Sequence, residues 1–166
     1  MPNDTTTVPQ AVIDQLKLRE GWRTDVYLDT LGKPTAGMGH LLTASENQQY
    51  SVGATVPDDV LNGWAQADTQ TAYNAALRQA SELNISDQNF INALASVNFQ
   101  LGAGWNQEFK MTWADLQVGK WQQASAEAQD SAWYKQTPVR VQDFQQAILA
   151  LAQPAPGDAG ATTATA

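Results

Sequence analysis

Residues 57–83 constrain this chain more than any other segment, because they carry an unbroken helical pattern well beyond the usual three or four turns. Val60, Leu61, Trp64, Ala67, Tyr73, Ala76, Leu77 and Leu83 fall on one broad face. Pro57 pre-sets the first turn, and Asp58 and Asp59 put negative charge where the helix dipole favours it. The pattern predicts a helix long enough to run from one lobe into the next.

On its N-terminal side the texture changes. Residues 9–20 set Val12, Ile13 and Leu16 on one face, with Thr7 placed to cap, which predicts a helix closing at Glu20 just before Gly21. From 24 to 42 the pattern breaks into short apolar pieces, Val26-Tyr27-Leu28 and Ala36-Gly37-Met38, interrupted by Gly32, Lys33-Pro34 and Gly39. Such pieces predict a small antiparallel sheet. Residues 46–53 read as a polar connection.

On its C-terminal side everything is helical in character. Ser86 reads as a cap, followed by helical patterns at 88–101, 113–120, 121–133 and 139–152, with Gly102, Gly104, Gly119 and Pro138 as breaks. Residues 154–166 are Pro, Gly, Asp, Ala and Thr without an apolar face, and are expected to form a disordered tail. The expected fold is therefore α+β: one domain over 1–153, with an N-terminal β-sheet lobe at about 9–56, a linking helix at 57–83 and a larger helical lobe at 84–152. A cleft is expected between the lobes.

Composition narrows the chemistry. With 166 residues, 43% of them hydrophobic, the chain can bury a core without staples, and it has no cysteine, so disulfide and thiolate chemistry are excluded. His40 is the only histidine and no clustered acidic motif stands out, so no metal and no cofactor are expected. The balance of 9 basic against 17 acidic residues, a net charge of -8, argues against a nucleic-acid partner. The start, Met1-Pro2-Asn3-Asp4, lacks the basic residues and apolar run of a signal peptide, and no stretch suits a membrane span, so no membrane insertion is expected. Trp22, Trp64, Trp105, Trp113 and Trp121 are read as core rather than as a sugar platform.

Breaking a glycosidic bond requires one carboxyl group held protonated beside the leaving oxygen and a second, ionised, to direct water or attack the sugar. Glu20 and Asp29 are candidates because each stands at the edge of an element. Seventeen acidic residues offer many other pairs, however, so chemistry alone does not choose. A Ser-His-Asp arrangement has only His40 to draw on and no Gly-x-Ser-x-Gly elbow. Gly37-Met38-Gly39 lacks the third glycine of a nucleotide loop.

Glu20-Gly21, followed by the run Val26-Tyr27-Leu28-Asp29-Thr30-Leu31-Gly32-Lys33-Pro34-Thr35-Ala36-Gly37-Met38-Gly39-His40-Leu41-Leu42-Thr43, resembles the signature of the phage T4-type lysozymes. The family spacing of nine and then six residues between Glu, Asp and Thr is met. Two later blocks, Asn98-Phe99-Gln100-Leu101-Gly102 and Trp133-Tyr134-Lys135-Gln136-Thr137-Pro138-Val139-Arg140, resemble the family in the same order. The resemblance implies a lysozyme-like fold and a peptidoglycan hydrolase. Glu20 would be the general acid, Asp29 would position and activate a water, and Thr35 would help hold that water. Inversion at the anomeric carbon follows if a water fits between Asp29 and the sugar.

The same resemblance implies supporting roles. Arg140 would pair with Glu20 and anchor the distal lobe to the first helix, His40 would pair with Asp68, and Gln100 would bond Trp133. Leu41, Phe99 and Thr112 would contact glycan, Thr112 replacing a family serine. Three departures stand out: Glu127 where the family has a contacting asparagine, Arg19 in place of an acidic residue, and Lys33-Pro34 in place of aromatics. The implied partner is bacterial peptidoglycan, met by a monomer. The expected location is the host cytoplasm, with release through a holin lesion, or alternatively a virion. Two rival readings are a lytic transglycosylase-like enzyme, which needs only the acid, and a non-catalytic glycan-binding virion module.

Overall fold

A computed structural model of the chain describes residues 6–152. The tail expected at 154–166 lies outside the described residues. The fold is α+β, with a three-stranded antiparallel sheet in the order β1-β2-β3 and, among the described residues, nine helices. The chain divides into two compact units, Met1–Ala75 and Ala76–Ala166, and the division falls inside the long helix.

The first unit opens with α1 (Gln10–Glu20), which buries Val12, Ile13 and Leu16. Thr7 does not cap it. Pro9 occupies the cap position without a side-chain bond, and the preceding segment is tied down instead by Gln70, whose Oε1 accepts the Val8 amide at 2.8 Å. The sheet follows as β1 (Arg23–Leu28), β2 (Pro34–Gly37) and β3 (His40–Leu41). Across β1 and β2, Tyr27 stands opposite Thr35, and across β2 and β3, Thr35 stands opposite Leu41. On its other side β1 bonds the loop at 53–56, through Val26 to Ala54 and Val56 to Thr24. Val26, Ala36, Val56 and Leu61 form the buried centre, with Trp22, Tyr50 and Trp64 packed around it.

The polar connection expected at 46–53 begins inside a helix, α2 (Ala44–Gln49). Thr43 and Glu46 form a reciprocal capping box there, which satisfies amides that a six-residue helix would otherwise leave open. The Thr-x-x-Glu spacing was present in the sequence as its signal. The long helix, α3 (Asp58–Leu83), has the expected span, but its buried face differs from the expected one: Ala67 is exposed, and Ala65, Thr69 and Ala72 are buried.

In the second unit α4 (Gln88–Leu101) is capped by Asp87, not Ser86: the Asp87 carboxylate accepts the Phe90 amide at 2.8 Å. Two short helices follow, α5 (Trp105–Glu108) and α6 (Lys110–Gln117), the second beginning three residues before the expected 113. The helix expected over 121–133 is two, α7 (Trp121–Gln129) and α8 (Ala132–Gln136), because Ser131 turns extended and caps α8 by accepting the Tyr134 amide. The last helix, α9 (Pro138–Ala150), packs on α4 and α7. Trp105, Trp133, Phe90 and Phe144 are buried, with Phe144 edge-on to Trp105 at 5.6 Å. Of the tryptophans expected in the core, Trp105 is fully enclosed, while Trp22, Trp64, Trp113 and Trp121 are only half-buried.

Candidate functional site

Glu20 is the last residue of α1 and is exposed. What places it there is Gly21, whose amide closes the helix on the Lys17 carbonyl at 3.0 Å and whose φ of 81° and ψ of 174° lie in a region that side chains avoid. The chain leaves the helix at once and enters β1 two residues later. The carboxylate thus stands at a corner rather than within a helix face.

Asp29 sits just past β1, where the hairpin turns. Its Oδ1 accepts two amides, Leu31 and Lys33, each at 2.8 Å, while its own amide donates to the Lys33 carbonyl at 2.9 Å. These bonds immobilise one carboxylate oxygen and fix the plane of the group. The other oxygen takes no part in them. Thr35 follows on β2 and is 3% exposed; its hydroxyl donates to the Lys33 carbonyl at 2.9 Å. With its only hydrogen committed, that hydroxyl can act toward a further group only as an acceptor. Lys33 is therefore the hinge through which Asp29 and Thr35 are set, one by its amide and the other by its carbonyl. Opposite Thr35, Leu41 is 51% exposed and Tyr27 is half-buried beneath the guanidinium of Arg23, 4.1 Å from the ring centre.

His40 is held on both nitrogens. Nδ1 meets Asp68 Oδ2 of α3 at 2.7 Å, and Nε2 meets Glu46 Oε1 of α2 at 3.1 Å, while the ring stacks on Trp64 with centroids 4.4 Å apart. Burial opposes the imidazolium, yet the two carboxylates outweigh it and His40 is raised above its ordinary pKa. Glu46 is correspondingly lowered, the opposing effect of its burial being exceeded by the Thr43 amide and His40. Glu46 and Trp64 had not been singled out as partners of His40.

The remaining candidates lie in the second unit. Phe99 is half-buried on α4, and beside it Gln100 receives the Trp133 indole N–H at 2.9 Å and donates to the Thr137 hydroxyl at 3.1 Å. Arg140 is buried on α9 and donates through Nη2 to the carbonyl and the hydroxyl of Ser96, at 3.1 and 3.0 Å. Thr112 is buried on α6 and lines a hollow of about 620 Å³. Among the described residues no group of three or more acidic or histidine side chains is arranged to hold a metal ion.

The model of one family, phage lysozyme, matches residues 17–145, which takes in Glu20, the whole hairpin, His40, Asp68 and the second-unit candidates. The chain belongs to the phage lysozyme family. Its matched segment is a lysozyme domain, and relatives carry the same domain in different settings. The peptidoglycan hydrolase gp36 of Pseudomonas phage phiKMV is 30% identical over 125 residues, covering 75% of this chain and 14% of that protein. A protein of Dictyostelium discoideum named probable T4-type lysozyme 2 is 30% identical over 148 residues, covering 76% of this chain and 86% of that one. The pre-baseplate central spike protein Gp5 of Enterobacteria phage T4 is 28% identical over 158 residues, covering 84% of this chain and 28% of the spike protein. The chain thus spans a small part of the two large phage proteins and most of the amoebal one.

Proposed function

We propose that this lysozyme domain is a muramidase that hydrolyses the β-1,4 bond between N-acetylmuramic acid and N-acetylglucosamine in bacterial peptidoglycan, and so lyses cells. Glu20 protonates the leaving oxygen. Asp29 orients and deprotonates the attacking water, and Thr35 accepts a hydrogen bond from it. Leu41, Phe99 and Thr112 contact the glycan, and the protein acts as a monomer.

The observation that carries this reading is the shared anchoring of Asp29 and Thr35 on Lys33. General-base attack by water needs two acceptors whose positions do not relax as the water loses its proton. A carboxylate pinned by two amides and a buried hydroxyl whose hydrogen is already spent supply that, and both lie in a segment shared with the family. A lytic transglycosylase would need no such water-handling pair.

Clearing of permeabilised bacteria by the native chain and by Glu20→Gln tests the acid, with mass spectrometry of the soluble products testing the water. Loss of clearing in the variant and reducing muramic ends in the native digest are expected. Equal clearing by both proteins would overturn the mechanism, and anhydromuramic ends would replace hydrolysis with transglycosylation. For delivery we favour accumulation in the producing host and passage through a holin-type lesion. Carriage on a particle, the setting named for the T4 spike relative, is the second reading, and mass spectrometry of purified virions separates the two.

A further inference from the structure

The approach to α1 is held by a side chain of another helix. Pro9 is extended, with φ of -61° and ψ of 140°, and a proline also holds the residue before it, here Val8, to extended backbone. Gln70 of α3 bonds this approach as a neighbouring strand would. Its Oε1 accepts the Val8 amide at 2.8 Å, and its Nε2 donates to the Thr6 carbonyl at 3.0 Å. Nε2 also donates to Asn74 Oδ1, one turn along α3, at 2.9 Å, which fixes the plane of the carboxamide. Val8 is itself buried, at 5% exposure.

The other end of α1 carries a second tie. Lys17 Nζ donates to Asn62 Oδ1 of α3 at 3.2 Å and lies 4.3 Å from the centre of the Trp22 ring. Residue numbers rise from Val8 to Lys17 while those of their partners fall from Gln70 to Asn62, so the ties grip opposite ends of a helix about 16 Å long. Between them Val12, Ile13 and Leu16 are buried. Apolar burial is non-directional: it decides which face of α1 turns inward but leaves the helix free to shift along its axis. Directional bonds set that position, and the Asn62 tie is a single exposed one, so the Gln70 clamp governs. Past Glu20, Gly21 passes on little restraint, since it has no side chain and nothing lies within 4 Å of where one would begin.

We propose that Gln70 is a positioning residue for the hydrolase: by clamping Thr6 and Val8 it sets where α1 lies along its axis, and so where the Glu20 carboxyl meets the leaving oxygen. The inference rests on Glu20 as the acid and adds a residue, remote in sequence, that keeps the acid in reach. A general acid works only at hydrogen-bond distance from the atom it protonates, and a displacement of about 1 Å can cost ~10²-fold in rate. Glycan contacts at Leu41, Phe99 and Thr112 do not depend on α1, so the loss falls on kcat and not on KM.

Steady-state kinetics on soluble peptidoglycan fragments, well below the melting temperature of each protein, test this with three variants. Gln70→Leu fills the space and releases the strap, and kcat is expected to fall about tenfold with KM unchanged. Gln70→Glu is isosteric. Protonated, it still offers an acceptor to Val8 and a donor to Thr6, whereas ionised it turns only acceptors toward the Thr6 carbonyl. Its kcat relative to the native chain is expected to recover as pH falls toward the ordinary glutamate value of about 4.3. Thr71→Val removes an exposed bond to the Ala67 carbonyl of α3 without touching the strap and should keep native kcat. Native kcat in Gln70→Leu, a loss carried by KM, an equal loss in Thr71→Val, or a ratio for Gln70→Glu that is flat with pH would overturn the proposal. Native kcat in Gln70→Leu beside an inactive Glu20→Gln removes the positioning role alone, while an active Glu20→Gln removes the acid and this proposal with it.

Discussion

Asp29 and Lys33 hold each other twice across the hairpin, amide to carbonyl at 2.9 Å in one direction and amide to carboxylate at 2.8 Å in the other. The side chain proposed to direct water is thus also the one that closes the turn. Two replacements separate these duties. Asp29→Asn keeps an oxygen for the Leu31 and Lys33 amides and should leave the melting temperature nearly unchanged while lowering kcat by about 10² or more. Asp29→Ala removes the acceptor as well and should cost a further 1–2 kcal/mol of stability, roughly the worth of the bonds lost. Thermal melts beside turnover on purified cell wall check both.

Thr35 offers a similar division. Thr35→Val preserves volume and deletes the hydroxyl, so the fold should lose only about 1 kcal/mol, the worth of one bond to the Lys33 carbonyl. Turnover should fall far more than affinity. Thr35→Ser keeps the oxygen and should recover most of kcat, and a valine variant with native kcat would remove Thr35 from the chemistry.

The His40 cluster sets a pH window for stability. His40 is raised above its ordinary value of 6.5, so its contribution is complete below that value and is lost as pH rises through the higher folded value. Glu46 is lowered from 4.5, so its contribution is present above that value and is lost as pH falls through the lower folded one. The cluster is therefore fully engaged between about 4.5 and 6.5. Urea midpoints followed from within this window to well above it should show His40→Gln abolishing the loss on the alkaline side. Asp68→Asn should cost about 1–2 kcal/mol near pH 6, discounted for its partial exposure, and much less at high pH.

A buried amide network in the helical unit gives the largest expected loss. Gln79 and Asn98 exchange two side-chain bonds at 2.9 Å, and the Gln79 amide also donates to the Ala103 carbonyl at 3.1 Å. The Trp105 indole donates to the Gln79 oxygen at 3.3 Å. Gln79→Leu fits the space but strands three partners, and should destabilise by about 3 kcal/mol, whereas a surface change such as Gln123→Leu should do little. Equal denaturant midpoints for the two variants would show the network to be ornamental.

The sequence made the elements legible where period and composition agreed. Pro57, Asp58 and Asp59 mark the start of α3, and glycine and proline between apolar triplets mark the hairpin, so both could be read directly. The buried face of α3 could not: Ala67, placed on it, is exposed, while Ala65, Thr69 and Ala72 are enclosed. Caps were harder, because Thr7, Ser86 and Asp87 are all competent and the choice is made by neighbours such as Gln70 that a local reading cannot see. The break between α7 and α8 is of the same kind: Ser131 ends one helix and starts the next without any glycine or proline to announce it. In the site, spacing could single out Glu20, Asp29 and Thr35. It could not show that Lys33 sets two of them or that Glu46 completes the grip on His40, since each of those bonds depends on a fold that returns the chain to itself.

Glu46 Oε1 is shared: it accepts the Thr43 amide at 2.8 Å, starting α2, and meets His40 Nε2 at 3.1 Å, at the end of the sheet. A helix of six residues has almost no lifetime of its own in water, so the persistence of α2 is borrowed from this oxygen. Strand end and helix start should therefore open as one cooperative unit in native-state hydrogen exchange. The amides of Thr43, Glu46 and Asn47 would lose protection together, and would do so earlier in His40→Gln although that residue belongs to neither turn of the helix.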